Sequence, residues 1–245
     1  MREEMQENRD HVSLNKYIAE TGVCSRRAAD KMIEEGRVRI NDTIARKGNR
    51  VSASDKVYID GILIGADRPD TVYIALHKPK GIVCTTDEVE KDNIIDYINF
   101  PERIFPIGRL DKDSEGLILL TNDGDIVNKI LRASNAHEKE YVVTVNKEIT
   151  SGFLKTMSTG VPILDTVTKP CVVKKLDNQI FSIILTQGLN RQIRRMCEFL
   201  NYKVTRLVRN RIMHLTLDGI PYGKWRFLSS DEVNQMQKLL KDSKK

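Results

Sequence analysis

The chain has 245 residues, 40% of them hydrophobic and 30% charged, with a net charge of +6 and a pI near 9.1. Those proportions exclude a disordered polyelectrolyte, and no run approaches the ~18 apolar residues that a membrane span needs. Four cysteines and four histidines are scattered without a C-x-x-C or other metal-ligand spacing. This argues against a metal enzyme or a disulfide framework and for reduced thiols in a cytoplasm.

Residues 1–11 are charged throughout and read as a flexible tail, not as a signal peptide. Leu14, Ile18 and Ala19 then recur at helical spacing until Thr21-Gly22 stops the helix. Ser25 is placed to cap a second helix that turns Ala28, Ala29, Met32 and Ile33 inward and ends at Gly36. Arg26, Arg27 and Lys31 fall on its exposed side, with Arg37 and Arg39 just beyond, and short strands follow to Ile64. The polar stretch Asp67-Arg68-Pro69-Asp70 is the expected boundary, between a small module over 12–66 and a larger domain over 71–245. In the larger part, apolar strands near residues 72–76, 117–120, 141–145, 181–185 and 215–217 alternate with helices near 126–132, 151–157, 191–200 and 231–240. That order predicts an α+β fold on a mixed, mainly antiparallel sheet. There is no internal repeat and no low-complexity tract.

Three clusters could carry chemistry. Residues 106–116 gather Arg109, Asp111, Lys112, Asp113, Ser114 and Glu115 just before the apolar run at 117–120. In an extended stretch, Arg109 and Asp111 share a face, and a guanidinium beside a carboxylate favours its charged, nucleophilic form. The pattern alone leaves open a turn held by a salt bridge. A second cluster, residues 188–200, sends Ile193, Met196, Cys197 and Leu200 to a core and sets Arg191, Arg194 and Arg195 together at a helix start that Asn190 could cap. Three guanidinium groups at the positive end of a helix call for an anion, either an RNA phosphate or the Asp111 carboxylate; an exposed helix face is the plainer alternative. From Gln187 to Arg226 nine basic residues face two acidic ones, and seven of the nine are arginine, which suits phosphate recognition. Third, Tyr141, Val143 and Val145 line one face of a strand, with Lys139 two residues earlier. Tyr141 reads first as a core residue, with an aromatic plate for a flipped base as the alternative.

The helix pair and its basic rim, centred on SRRAADKMIEEGRVRIND, resemble the S-four RNA-binding domain. GRLDKDSEGLILLTNDGD, together with HKPKG, EKEY and GLNRQIRRM, resembles the RsuA/RluB/RluE/RluF family of pseudouridine synthases across residues 12–230. The stretch RIMHLTLDGIPYGKWRFL is most similar to the RluF branch, which modifies large-subunit ribosomal RNA. The resemblance implies that Asp111 is the essential aspartate, that Tyr141 packs against the target base and that Arg194 pairs with Asp111. It further implies that Arg109 opens the RNA stack, with Leu110, Lys112, Asn190, Arg191, Gln192, Arg195, Arg26 and Arg27 also toward RNA, and that Lys78 and Pro79 buttress the catalytic loop. The expected partner is large-subunit (23S) ribosomal RNA, with transfer RNA open as a second substrate. No cofactor, metal or membrane is expected, and the chain is expected to be a monomer. The competing reading is a non-catalytic RNA-binding or ribosome-assembly protein. A methyltransferase lacks its glycine-rich loop here, and a zinc deaminase lacks H-x-E with P-C-x-x-C.

Overall fold

A computed structural model describes residues 11–65, 69–87 and 89–244. The expected tail over residues 1–11, apart from His11, lies outside the described residues, as do Asp67 and Arg68 of the expected boundary. The chain divides into two units, one reaching to Thr71 with Pro101–Arg103, the other made of Val72–Phe100 and Ile104 onward.

In the first unit, β1 (Val12–Ser13) leads directly into α1 (Leu14–Glu20). Thr21 caps α1, and Gly22 at φ +83° turns the chain where a side chain would be strained. Ser25 Oγ accepts the Ala28 N–H at 3.1 Å and starts α2 (Arg26–Glu34). Strands β2 (Val38–Ile40), β3 (Thr43–Ile44), β4 (Arg50–Val51), β5 (Val57–Ile59) and β6 (Ile62–Ile64) follow. Four of them form an antiparallel sheet in the order β3-β2-β5-β6, and β1 pairs with β4. Leu14, Ile18, Ala29, Ile33, Val38, Val51 and Val57 close the core. Of the predicted basic rim, Arg37 is bound bidentately by Asp60 at 2.6–3.2 Å, whereas Arg26 and Arg27 are exposed without a hydrogen bond or ion pair among the described residues.

The second unit holds β7 (Tyr73–Lys78), α3 (Ile94–Ile98), β8 (Phe105–Ile107), β9 (Glu115–Thr121), α4 (Gly124–Leu131), β10 (Lys139–Val145), α5 (Ser151–Thr159), β11 (Pro162–Ile163) and β12 (Thr166–Val167). It continues with β13 (Val172–Asp177), β14 (Ile180–Leu185), α6 (Gln192–Phe199), β15 (Val204–Ile212), β16 (Leu215–Thr216), β17 (Trp225–Phe227) and α7 (Ser230–Leu240). The large sheet runs β13-β14-β10-β15-β9-β7-β17, with β8 on β9 and β16 on β15. Every pairing in it is antiparallel except β15 with β9, so the sheet is mixed and mainly antiparallel and the fold is α+β. Strand β9 is buried along its whole length, which is why its sequence is a continuous apolar run and not an alternating one. Helix α6 packs Ile193, Met196 and Cys197 against Val143, Phe153 and Phe181. Helix α7 opens with a Ser229–Glu232 capping box and buries Met236 and Leu240 against Ile126 and Ile130, so it packs on its own unit.

The sequence reading did not include α3, β8, β11, β12, β13, β15 or β17, and the longest of these is β15, nine residues between β10 and β9. Its sequence, VTRLVRNRI, carries three arginines of the basic segment read above as suited to phosphate recognition. Arg206 and Arg211 are drawn off by acids, the first to Glu115 at 2.6 Å and the second to Glu138 and Glu140 at 3.0 Å, while Arg209 is buried.

Candidate active site

The loop between β8 and β9 carries Asp111, and three ties hold it. Gly81 N donates to Lys112 O at 2.9 Å, and Ser114 N donates to Asp111 O at 3.0 Å. The third tie is the Lys78 ammonium, which is fully buried and donates to the carbonyls of Pro79 and Ser114, both at 2.8 Å. Burial pulls the Lys78 pKa below its ordinary value, with the nearby charges of Cys84 and Asp111 opposing that shift. A lysine sunk this deep and spent on two carbonyls acts as a cross-brace between β7 and the loop. Leu110 is anchored too, with its side chain in the core and its N–H donating to Cys84 Sγ at 3.3 Å.

Two guanidinium groups approach Asp111 from the start of α6. Arg191 Nη1 lies 3.5 Å from Asp111 Oδ2, and Arg194 Nε lies 3.8 Å from the same oxygen. Arg194 is buried and passes under the loop, where it also donates to Ser114 Oγ at 3.2 Å and to the carbonyls of Asp113 and Val204 at 3.4 and 3.5 Å. Arg191 stands at the helix cap with φ +48°, a left-handed turn that re-aims its side chain.

These groups open on a cavity of about 560 Å³, a size suited to one extruded nucleoside. Asp111, Tyr141, Arg191, Arg194, Lys139 and Arg209 are among its lining residues. Tyr141 is half-buried, packed on the core yet part of the cavity wall. The sheet itself shapes this wall. Between Glu140 and Tyr141 the β10–β15 register shifts, leaving Asn210 as the extra residue and setting Arg209 opposite Tyr141.

Comparison with known proteins agrees with the geometry. The sequence profile described as RNA pseudouridylate synthase matches residues 72–199, and that of the S4 domain matches residues 12–57. The chain belongs to the RNA pseudouridylate synthase family. Its N-terminal unit is an S4 domain. The dual-specificity RNA pseudouridine synthase RluF of Salmonella typhi is 59% identical over 231 residues, a match covering 94% of this chain and 80% of that protein. The RluF of Escherichia coli strain K12 is 58% identical, covering 95% and 80%. The ribosomal large subunit pseudouridine synthase B of Bacillus subtilis strain 168 is 34% identical, covering 92% and 96%. A crystal structure of a pseudouridylate synthase superposes with a TM-score of 0.67 at 30% identity, covering 92% of this chain and 99% of that one.

Several expected site residues of this synthase sit differently from their sequence reading. Arg109 is exposed on the cavity rim and has no ion pair with Asp111; the pairing guanidinium groups come from α6 instead. Asn190 does not cap α6, because Arg191 takes the cap position. Asn190 instead accepts two hydrogen bonds from Arg195, both at 3.1 Å, and the three arginines therefore diverge in place of crowding one face. Gln192 is buried and its amide oxygen accepts the Leu189 N–H at 3.0 Å, which closes the loop before α6. Leu110 is likewise buried, and Lys112 is exposed and paired with Asp92 at 3.0 Å. Arg26 and Arg27 belong to the S4 unit. Arg209 was counted only as part of a basic segment. Its one sequence signal is the apolar pair Leu207-Val208 that precedes it.

Proposed function

We propose that this synthase isomerises uridine to pseudouridine in large-subunit (23S) ribosomal RNA, with transfer RNA as a second substrate class, and that Asp111 carries the reaction. The observation behind this reading is the Asp111 carboxylate at a nucleoside-sized cavity, with two guanidinium groups within 4 Å and Tyr141 in the wall. The wording of the relatives' names, dual-specificity in two and ribosomal large subunit in the third, supports the choice of RNA.

In this reading a target uridine leaves its stack and lies along Tyr141. Arg109 on the rim holds the vacated position, and Arg191 and Arg195 take flanking phosphates. Arg194 holds the carboxylate in place. Asp111 then attacks the anomeric carbon, adds to the base ring or removes a sugar proton. The uracil turns within the closed site and rejoins the ribose through carbon 5. No cofactor enters this scheme. Residues 12–66, with Arg26 and Arg27 free at the surface, supply a second RNA contact, and residues 71–245 supply catalysis. The chain acts as a cytoplasmic monomer.

Mass mapping of pseudouridine in ribosomal and transfer RNA from cells lacking the gene, complemented with wild type or Asp111→Asn, tests the whole reading. Sites restored by wild type and absent with Asp111→Asn are the expected result. Modification that persists with Asp111→Asn removes the assigned role. A cellular phenotype rescued by that variant favours the non-catalytic RNA-binding alternative.

A further inference from the structure

Two buried cations at the cavity have no counter-ion among the described residues. Arg209 is 3% exposed, donates from Nε to Leu117 O at 2.7 Å, and has a buried Nη2 with no partner. Lys139 is 8% exposed and uses one ammonium proton on His137 O at 3.1 Å. Arg209 lies opposite Tyr141 across the β10–β15 pair and Lys139 is two residues before Tyr141, so all three share one face of the sheet. Folding alone does not favour this. A buried charge without a partner costs several kcal/mol, about the scale of a domain's whole stability margin. The cost is recovered when a negative group enters. A phosphate is a poor fit for a position on the Tyr141 face of the sheet, because the exposed arginines of the rim meet the RNA backbone first. The base itself becomes negative during the reaction.

We propose, on the reading that Asp111 acts on a uridine in this cavity, that Arg209 and Lys139 hold the negative charge of the detached uracil and are catalytic residues. When the N1–C1′ bond breaks, both electrons stay with the ring, which becomes an anion delocalised over N1, O2 and O4. The ribose is left bonded at C1′ to an Asp111 oxygen, or as a glycal with its C2′ proton on Asp111. After the ring rotates, its C5 supplies the electron pair for the new C5–C1′ bond. Asp111 departs, or returns the C2′ proton. The C5 proton then passes to the freed carboxylate and to water, and N1 takes up one proton, so uridine and product are isomers. Donors placed where the anion forms lower the barrier without rearranging. Burial, reinforced by the Arg209 charge, brings the Lys139 pKa down to about 8, so the ammonium is still protonated at neutral pH.

The test compares single-turnover cleavage of the N1–C1′ bond in a ribosomal RNA fragment carrying either uridine or 5-fluorouridine at the target. Fluorine lets the ring bear its own charge, so a protein group that carries that charge matters less. Lys139→Met, which keeps the aliphatic stem, is expected to slow cleavage of the uridine RNA about 100-fold. The loss on fluorouridine RNA should be smaller, RNA affinity should be unchanged, and Lys139→Arg should recover much of the rate. Arg209→Lys should show the same asymmetry, and thermal unfolding of each variant establishes that it folds. Equal losses on the two RNAs, or losses explained by weaker RNA binding, overturn the inference in an active enzyme. A wild type that leaves uridine untouched overturns the underlying reading instead.

Discussion

Arg194 Nε points at Asp111 Oδ2 from 3.8 Å and is buried without a hydrogen-bond acceptor. The rest of the guanidinium is occupied by the backbone of the loop and of β15, so the arginine is fixed while the carboxylate is held only by charge. That leaves the carboxylate oxygens free to form a bond. A tight bidentate pair would have occupied them.

Arg194→Lys keeps the charge and loses the fork that reaches Asp111, Ser114 and two carbonyls together. Turnover should fall about 100-fold, and the protein should lose about 1–2 kcal/mol as buried acceptors go unmet. Single-turnover rates and urea unfolding measure the two effects, and near wild-type turnover would mean Asp111 needs no such anchor.

Gly116 has φ +113° and sits where β9 meets β15, with the Arg209 backbone occupying the space a Cβ would need. Gly116→Ala should destabilise by about 2–4 kcal/mol, since strain and a backbone clash act together. It should also displace Arg209 and cut activity. A denaturation midpoint equal to wild type would refute the close approach.

Burial and the charge of Arg209 on β15 bring the Lys139 pKa down to about 8; His137, just before the strand, accepts one ammonium proton through its carbonyl, and Tyr141 and Asp111 line the same cavity. The lysine pKa is depressed, so the charged form is lost as pH rises through about 8. The kcat/KM profile should therefore decline above that pH, and Lys139→Arg should extend the plateau. A profile identical in the two proteins rules out Lys139 as the titrating group.

Glu232 is bound by Arg226 at 2.7 Å and accepts the Ser229 N–H at 2.8 Å, which holds its carboxyl down at about 2. A depressed folded-state pKa stabilises the fold above the unfolded value of about 4.3, and this contribution fades as pH drops from there toward about 2. Glu232→Gln should cost about 1 kcal/mol at pH 7, consistent with a cap in a partly exposed pair. The gap from wild type should close in acid. A gap independent of pH would place the effect elsewhere.

RNA affinity should fall steeply with salt as phosphate contacts release counterions, and Arg195→Ala should reduce the slope of log affinity on log salt by about 0.7 to 1. Filter binding across a salt series checks this. A flat response in wild type would discount the basic segment as an RNA surface.

Much of the molecule was legible from local pattern. Ser25 as a cap, Thr21-Gly22 as a stop, the apolar run after Asp111 and the apolar face of α6 are settled by neighbours within a few residues, through backbone geometry and helical period. The long ordered motifs around Asp111 and Arg194 carried the family. The local pattern offered the Asp111 carboxylate as one anion for the arginines around residue 191, and the resemblance implied Arg194. Only the fold decides that Arg191 and Arg194 reach the carboxylate and the neighbouring Arg109 does not, because α6 is packed under the loop by Ile193, Met196 and Cys197. Arg209 looked like one more surface arginine until the parallel pairing of β15 with β9 enclosed it. Residue type and spacing determine which groups are available and what local shape they take. Burial, and with it the strength of every charge in the cavity, is created only when strands distant in sequence close over one another.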